Sequence, residues 1–245
     1  MRKLVETAIS LIGGMVRRAG YQLRPLAAGP ITMRAALSHF AGRLPVSTVI
    51  DVGASNGCWT EQALGSWPDA RFLLIEAQRH PHEPDLARLK SRHPRVDYVL
   101  AAAGNRVGTI HFEASGAFAG RASDQPLGAN GIEVPVTTLD AEVARRTLPG
   151  PYLVKLDVHG YERAILEGAV RVLADTSLLV VEVYNFTLGE GALQFPEMCE
   201  HLRRLGFRPV AIVDPMYRPK DGVLWQFDCF FARGDRPEFQ SQSYE

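Results

Sequence analysis

The sequence predicts an α/β fold, a mostly parallel sheet with helices on both faces and an antiparallel strand pair at one edge, on three observations. From Ser47 onward, apolar runs of strand length alternate with stretches of helical periodicity, the order that builds parallel sheets through crossover helices. Two of those runs, Val49-Ile-Asp-Val52 and Tyr152-Leu-Val-Lys-Leu-Asp-Val158, carry an aspartate into a glycine turn that opens a helix. Near the end, Phe207 to Val213 and Val223 to Ala232 are joined by a short connection, which suits an antiparallel pair.

The chain divides into a basic segment over residues 1–31, a catalytic-type domain over 32–235 and a polar tail over 236–245. In the first segment Leu4, Ala8, Leu11, Ile12 and Met15 recur at helical spacing, and five basic residues outnumber the lone acid Glu6. That is a basic amphipathic helix, suited to packing on its own domain or to peripheral contact with an anionic membrane through residues 1–26. It is too short and too interrupted to span a bilayer, and lacks a clear small-residue cleavage site.

A helix over about Thr32 to Ala41 precedes the first strand. After Gly53-Ala-Ser-Asn-Gly57 a helix runs from about Thr60 to Leu64, its free N–H groups facing the turn. Arg71-Phe-Leu-Leu-Ile-Glu76 is a buried strand ending in a carboxylate, 19 positions beyond Gly57. In nucleotide-binding α/β domains an acid at about that separation takes the ribose hydroxyls. Glu83 to Arg92 is a polar helix, and Val96 to Ala102 a third strand. Glu113 to Gly131 is rich in Gly, Ala and Ser without a clear period, and reads as a long loop serving as lid or substrate-binding segment.

Val134 to Thr138 is a short strand, followed by a helix with Asp140 as N-cap. After the second aspartate turn, Ile165, Leu166, Ala169, Val172 and Leu173 give one helix an apolar face. Leu178 to Tyr184 is a strand with Glu182 among aliphatics, where an unpaired charge is costly. It either pairs, with Lys155 or a backbone group, or has a chemical task. Phe195, Met198, Leu202 and Leu205 stripe the next helix, stopped by Gly206.

Composition excludes some functions. Lys plus Arg equals Asp plus Glu at 27 each, so no net field draws the chain to nucleic acid. Three cysteines, odd in number and widely spaced, read as reduced thiols in a cytoplasmic setting. The first turn has Ser55 and Cys58 where a G-x-G-x-x-G fingerprint needs glycine, and neither a Walker lysine nor a G-x-S-x-G elbow occurs. What remains is Asp51, Glu76, Asp157 and Glu182 toward the carboxyl ends of parallel strands, the edge where open α/β sheets bind ligands.

Those residues, with Val134-Pro-Val-Thr-Thr-Leu-Asp140, Lys155-Leu-Asp-Val-His-Gly-Tyr-Glu162, Leu166-Glu-Gly168, Val180-Val-Glu-Val183 and Gln226-Phe-Asp-Cys-Phe-Phe231, make the chain resemble the FkbM family of class I S-adenosylmethionine-dependent methyltransferases. The resemblance covers about Ser47 to Ala232, with Ser55 and His159 as departures. It implies a Rossmann-like sheet of seven strands and O-methylation of a hydroxyl on a small molecule, sugar, glycan or other natural product. It also implies that Asp51, Gly53, Ala54, Ser55, Asn56 and Gly57 hold the methionine end of S-adenosylmethionine. Glu76 would take the ribose, and Asp157 would lie at the transferable methyl.

Methyl transfer is an in-line displacement, so an acceptor oxygen must be aligned and relieved of its proton. An imidazole titrates near neutrality, which makes His159 the natural base candidate beside Asp157 and Glu182. Those two carboxylates also suit a divalent ion, but no third ligand is evident from the sequence, so no metal is assigned. Tyr161, Tyr184 and residues 216–220 are expected to shape the acceptor pocket. The competing expectation is a module that binds a nucleotide or S-adenosylmethionine without catalysis.

Overall fold

The computed structural model describes residues 29–243 except 115, 118, 129 and 190, and before them only Ile12, Met15, Val16 and Arg18. The amphipathic helix expected over residues 1–26 therefore lies largely outside the described residues. Ile31–Glu245 form one packing unit, separate from Met1–Pro30.

Chain order begins with α1 (Met33–Ala41), β1 (Thr48–Val52), α2 (Cys58–Leu64), β2 (Arg71–Glu76) and α3 (Arg79–Arg92). Next come β3 (Val96–Leu100), β4 (Ala102–Ala103), β5 (Gly108–Ala114), β6 (Gly120–Ser123), β7 (Ile132–Thr137) and α4 (Leu139–Arg146). The remainder is β8 (Tyr152–Leu156), α5 (Glu162–Glu167), α6 (Val170–Ala174), β9 (Thr176–Tyr184), α7 (Phe195–Arg204), β10 (Phe207–Tyr217) and β11 (Leu224–Arg233).

The main sheet has seven strands in the order β10-β11-β9-β8-β1-β2-β3. β9, β8, β1, β2 and β3 run parallel, while β11 pairs antiparallel with both β9 and β10, as the sequence predicts. Strand periodicity sorts the side chains into two cores. Ile50, Val52, Leu73, Ile75, Val154 and Leu156 pack on one face against α5, α6 and α7. Val49, Phe72, Leu74, Leu153, Leu178 and Val180 pack on the other against α1, α2 and α3. From β1 the chain goes outward to β2 and β3 and then returns to β8 on the other side of β1. The reversal opens a crevice at the carboxyl ends of β1 and β8.

Three features differ from expectation. A second sheet, β4-β7-β5-β6, accompanies the main one, and its β5–β6 hairpin occupies much of the segment read as a loop. The hairpin escaped notice because Gly120-Arg-Ala-Ser123 has too little apolar alternation to announce a strand. The helix expected through Leu173 breaks into α5 and α6 at Gly168, where a Cβ would stand 2.0 Å from the Gly104 carbonyl oxygen. Thr138, not Asp140, caps α4, its hydroxyl accepting from Ala141 N–H at 3.0 Å. Asp140 instead accepts from the N–H groups of Arg171 and Val172 at the start of α6, the latter at 2.9 Å.

Glu142 on α4 ties this side of the molecule together. It is 3% exposed, accepts the Thr137 hydroxyl at 2.6 Å and pairs with Arg145 and Arg146. Burial acts to raise its pKa, but these donors outweigh burial and hold it below the ordinary glutamate value. A depressed carboxylate adds stability that is present above its unfolded pKa, about 4.3, and is lost as pH falls through the folded value. Glu142→Gln is expected to melt several degrees below wild type at pH 7, on about 1–3 kcal/mol for a charged hydrogen bond. The gap should narrow on acidification toward pH 3; a pH-independent difference in thermal melts would refute the assignment.

Candidate active site

The first turn shapes the near wall of the crevice. Gly53 sits at φ 75°, and a Cβ there would stand 1.9 Å from the Asp157 carbonyl oxygen, so conformation and the neighbouring turn both require glycine. Ser55 is left-handed at φ 51°, an uncommon conformation for a residue with a side chain. Its N–H donates to Glu76 Oε2 at 2.7 Å, and Gln78 N–H donates to Glu76 Oε1 at 2.7 Å. Burial raises the Glu76 pKa, and the two N–H groups oppose it. Asn56 accepts from Cys58 N–H at 3.1 Å, while Gly57 lets α3 approach, Leu89 Cδ2 lying 2.8 Å from where its Cβ would be. Gly53, Ser55, Glu76 and Asp157 thus line the cleft, whereas Ala54, Asn56 and Gly57 form the body of the turn.

Asp51 lies beneath. It is fully buried, accepts the Thr60 hydroxyl at 2.7 Å, and has Lys155 Nζ 3.8 Å away. Burial pushes its carboxyl up, against the pull of Lys155. Lys155, itself 4% exposed, donates to Asp157 Oδ2 at 2.8 Å, and despite burial the two aspartates raise its pKa. The lysine offered as a partner for Glu182 therefore serves Asp157 and Asp51.

Asp157, His159 and Glu182 meet at the far wall. His159 Nε2 is 3.9 Å from Asp157 Oδ1 and 3.8 Å from Glu182 Oε2, and its Nδ1 is 3.1 Å from the Gly120 carbonyl oxygen. That oxygen only accepts, so Nδ1 carries hydrogen and, in the neutral ring, Nε2 presents its lone pair to the two carboxylates. The His159 backbone is left-handed at φ 56°, and such strain gathers at functional sites. Glu182 accepts from the Tyr184 hydroxyl and the Gln226 amide. Burial, then Asp157, pushes Glu182 up to about 9. Against its own burial, Asp157 is held down by Lys155. Asp228, opposite Glu182 on β11, is pushed up to about 6 by burial.

The β5–β6 hairpin roofs both walls. Ala117 and Gly116 carbonyls meet His82 Nε2 at 2.5 Å and Gln78 Nε2 at 3.2 Å on the Glu76 side. Gly120 meets His159, and Asp124 accepts the Tyr161 hydroxyl at 3.0 Å on the other. The Glu76 compartment, floored by Ala101, Ala102 and Ala103 and walled by Phe112, has about 140 Å³. Small-molecule clefts usually hold about 300–1,000 Å³, so admitting a nucleoside-sized ligand takes outward movement of the roof. A second cleft, lined by Glu182, Tyr184, Met216 and Trp225, shares Asp157, His159 and Gly120 with the first. His82, Trp225 and Gln226 were not singled out from sequence for roles here. Gln226 opens the Gln226-Phe-Asp-Cys-Phe-Phe231 motif and Trp225 directly precedes it, but His82 lies between Pro81 and Pro84, which hid the first turns of α3.

Paired glycine turns at the reversal of such a sheet, with an acid closing the second strand, define a class I methyltransferase fold. The chain belongs to the FkbM methyltransferase family: residues 51–209, well over half its length, match the family described as Methyltransferase FkbM domain. The solved structure of an FkbM methyltransferase from Methylobacillus flagellatus KT is similar at a TM-score of 0.56 and 15% identity. The match covers 84% of this chain and 49% of that one, so this chain spans about half the length of that relative. The 1,6-didemethyltoxoflavin-N1-methyltransferase from Burkholderia thailandensis has a TM-score of 0.45 at 17% identity, covering 95% of this chain and 89% of its own. An O-methyltransferase from neocarzinostatin biosynthesis has a TM-score of 0.42 at 14% identity, covering 81% and 51%. These last two scores carry no argument. No curated protein matches the chain.

Proposed function

We propose that the protein transfers a methyl group from S-adenosylmethionine to a hydroxyl oxygen of a small molecule, such as a sugar, a glycan or another natural product. One observation carries the reading: two compartments meet at Asp157 and His159, with Glu76 in the first and Glu182 in the second. The donor set of the first suits a nucleoside. Each Glu76 oxygen spends one lone pair on a backbone N–H and keeps another for a ribose hydroxyl. The alanine floor leaves room for a flat ring, and Gly53 brings bare backbone to the boundary. Bound there, the cofactor supplies an electrophilic methyl on a sulfonium.

The chain's own groups do the rest. Glu76 and the Ser55 turn fix one end of the cofactor, and the roof excludes water, which otherwise competes with the acceptor. Trp225 and Tyr184 offer ring faces and edges for a sugar, with Gln226 and Glu182 as polar anchors. Two chemistries for activating the hydroxyl are available at the trio. Its proton can pass to His159 Nε2, or all three groups can hold a cation that the hydroxyl approaches. Calorimetric titration with S-adenosylmethionine, then mass spectrometry of glycan and natural-product acceptors, tests the reading. Micromolar binding and a mass gain of one methyl on an oxygen are expected. Binding without any methylated product would favour the non-catalytic module, and absence of binding would remove the cofactor assignment.

A further inference from the structure

We propose that Asp157, His159 and Glu182 form a binding site for one divalent first-row metal ion, such as Mn²⁺, at the boundary between the two compartments. Among the described residues this is the one group of three potential ligands whose donor atoms all lie within 4.8 Å of one another. Metal bonds of about 2.0–2.2 Å place ligand atoms roughly 3–3.5 Å apart, so the His159 distances of 3.8 and 3.9 Å, in a set no wider than 4.8 Å, require the three side chains to close on the ion. One imidazole nitrogen and two carboxylate oxygens suit such cations and leave positions for water or an acceptor.

The argument rests on what stands behind each donor. A ligating histidine ordinarily gives its other ring N–H to a carbonyl or carboxylate, and His159 gives Nδ1–H to Gly120. Lys155 occupies Asp157 Oδ2, leaving Oδ1 toward His159. Gln226 donates to Glu182 Oε1 and the Tyr184 hydroxyl to Oε2, whose second lone pair remains for a ligand on the side of the same ring. All three ligands thus gather from two elements, Asp157 and His159 from the turn after β8 and Glu182 from β9. Charge favours a cation there as well. Lys155 is shared by two aspartates, Asp51 and Asp157, and the acidic residues Glu182 and Asp228 stand opposite each other on the adjoining strands. The histidine also supplies the third ligand that Asp157 and Glu182 alone would lack.

A divalent ion in this place polarises a hydroxyl brought into the second cleft. That role rests on the methyl-transfer reading; the binding does not. The test uses the full chain, stripped with chelator and titrated with Mn²⁺ alone under electron paramagnetic resonance. One ion per chain is expected, with a ¹⁴N modulation in the spin echo from His159. His159→Asn should abolish the modulation, and both it and Glu182→Gln should weaken binding about 10-fold or more. Equal Mn²⁺ affinity in wild type and both variants, or a bound ion without ¹⁴N coupling, would overturn the site. Calorimetry with S-adenosylmethionine on the same samples separates the two readings: cofactor binding without specific Mn²⁺ defeats only the metal site, and specific Mn²⁺ without cofactor binding defeats only methyl transfer.

Discussion

Glu76→Ala is expected to weaken S-adenosylmethionine binding about 100-fold, since two charge-assisted hydrogen bonds at about 1.5 kcal/mol each amount to two decades. The effect has two sources. The proposed contacts to the ribose would be lost, and the N–H groups of Ser55 and Gln78 lose the acceptors that set the turn. Glu76→Gln separates them, because its amide oxygen can serve one N–H while its NH₂ opposes the other. An intermediate affinity is expected from calorimetry, with a smaller loss in melting temperature than for alanine. Unchanged affinity in Glu76→Ala would place the ribose elsewhere.

Lys155→Met is expected to lower stability by about 3–5 kcal/mol, the usual result of removing one partner from a buried ion pair. For a chain of this size that is a fall of roughly 10 °C in melting temperature. The methyl end of methionine fills much of the space but leaves Asp51 and Asp157 facing each other without a cation. Adding Asp157→Asn should restore part of the loss. A double-mutant cycle therefore yields a coupling energy, and strict additivity would show that Lys155 contributes only packing.

The rim acids were legible in sequence because a charge within an aliphatic run stands out, as Glu76 does after Phe72-Leu-Leu-Ile75. The alternation of strands and helices was legible from periodicity, and the antiparallel edge from the short connection between its two strands. Pairing was not. Lys155 stands two residues before Asp157 and on the strand beside the one that carries Glu182, and only the parallel register of β1 with β8 adds Asp51, set opposite Lys155, as a partner. His159 was visible as a residue, but its reach to Glu182 depends on a left-handed backbone that no pattern in Val158-His-Gly160 specifies. The alanine-rich floor and the β6 strand stayed hidden because small residues carry almost no periodic signal.

The hairpin roof has a kinetic meaning. Its Gly116 and Ala117 carbonyls are engaged by Gln78 and His82 at one end, and its Gly120 carbonyl by His159 at the other. Lifting it to exchange the nucleoside therefore disturbs the hydrogen bond that orients the imidazole. On the proposed methyl-transfer reading, donor loading and acceptor activation are then coupled through this one hydrogen bond.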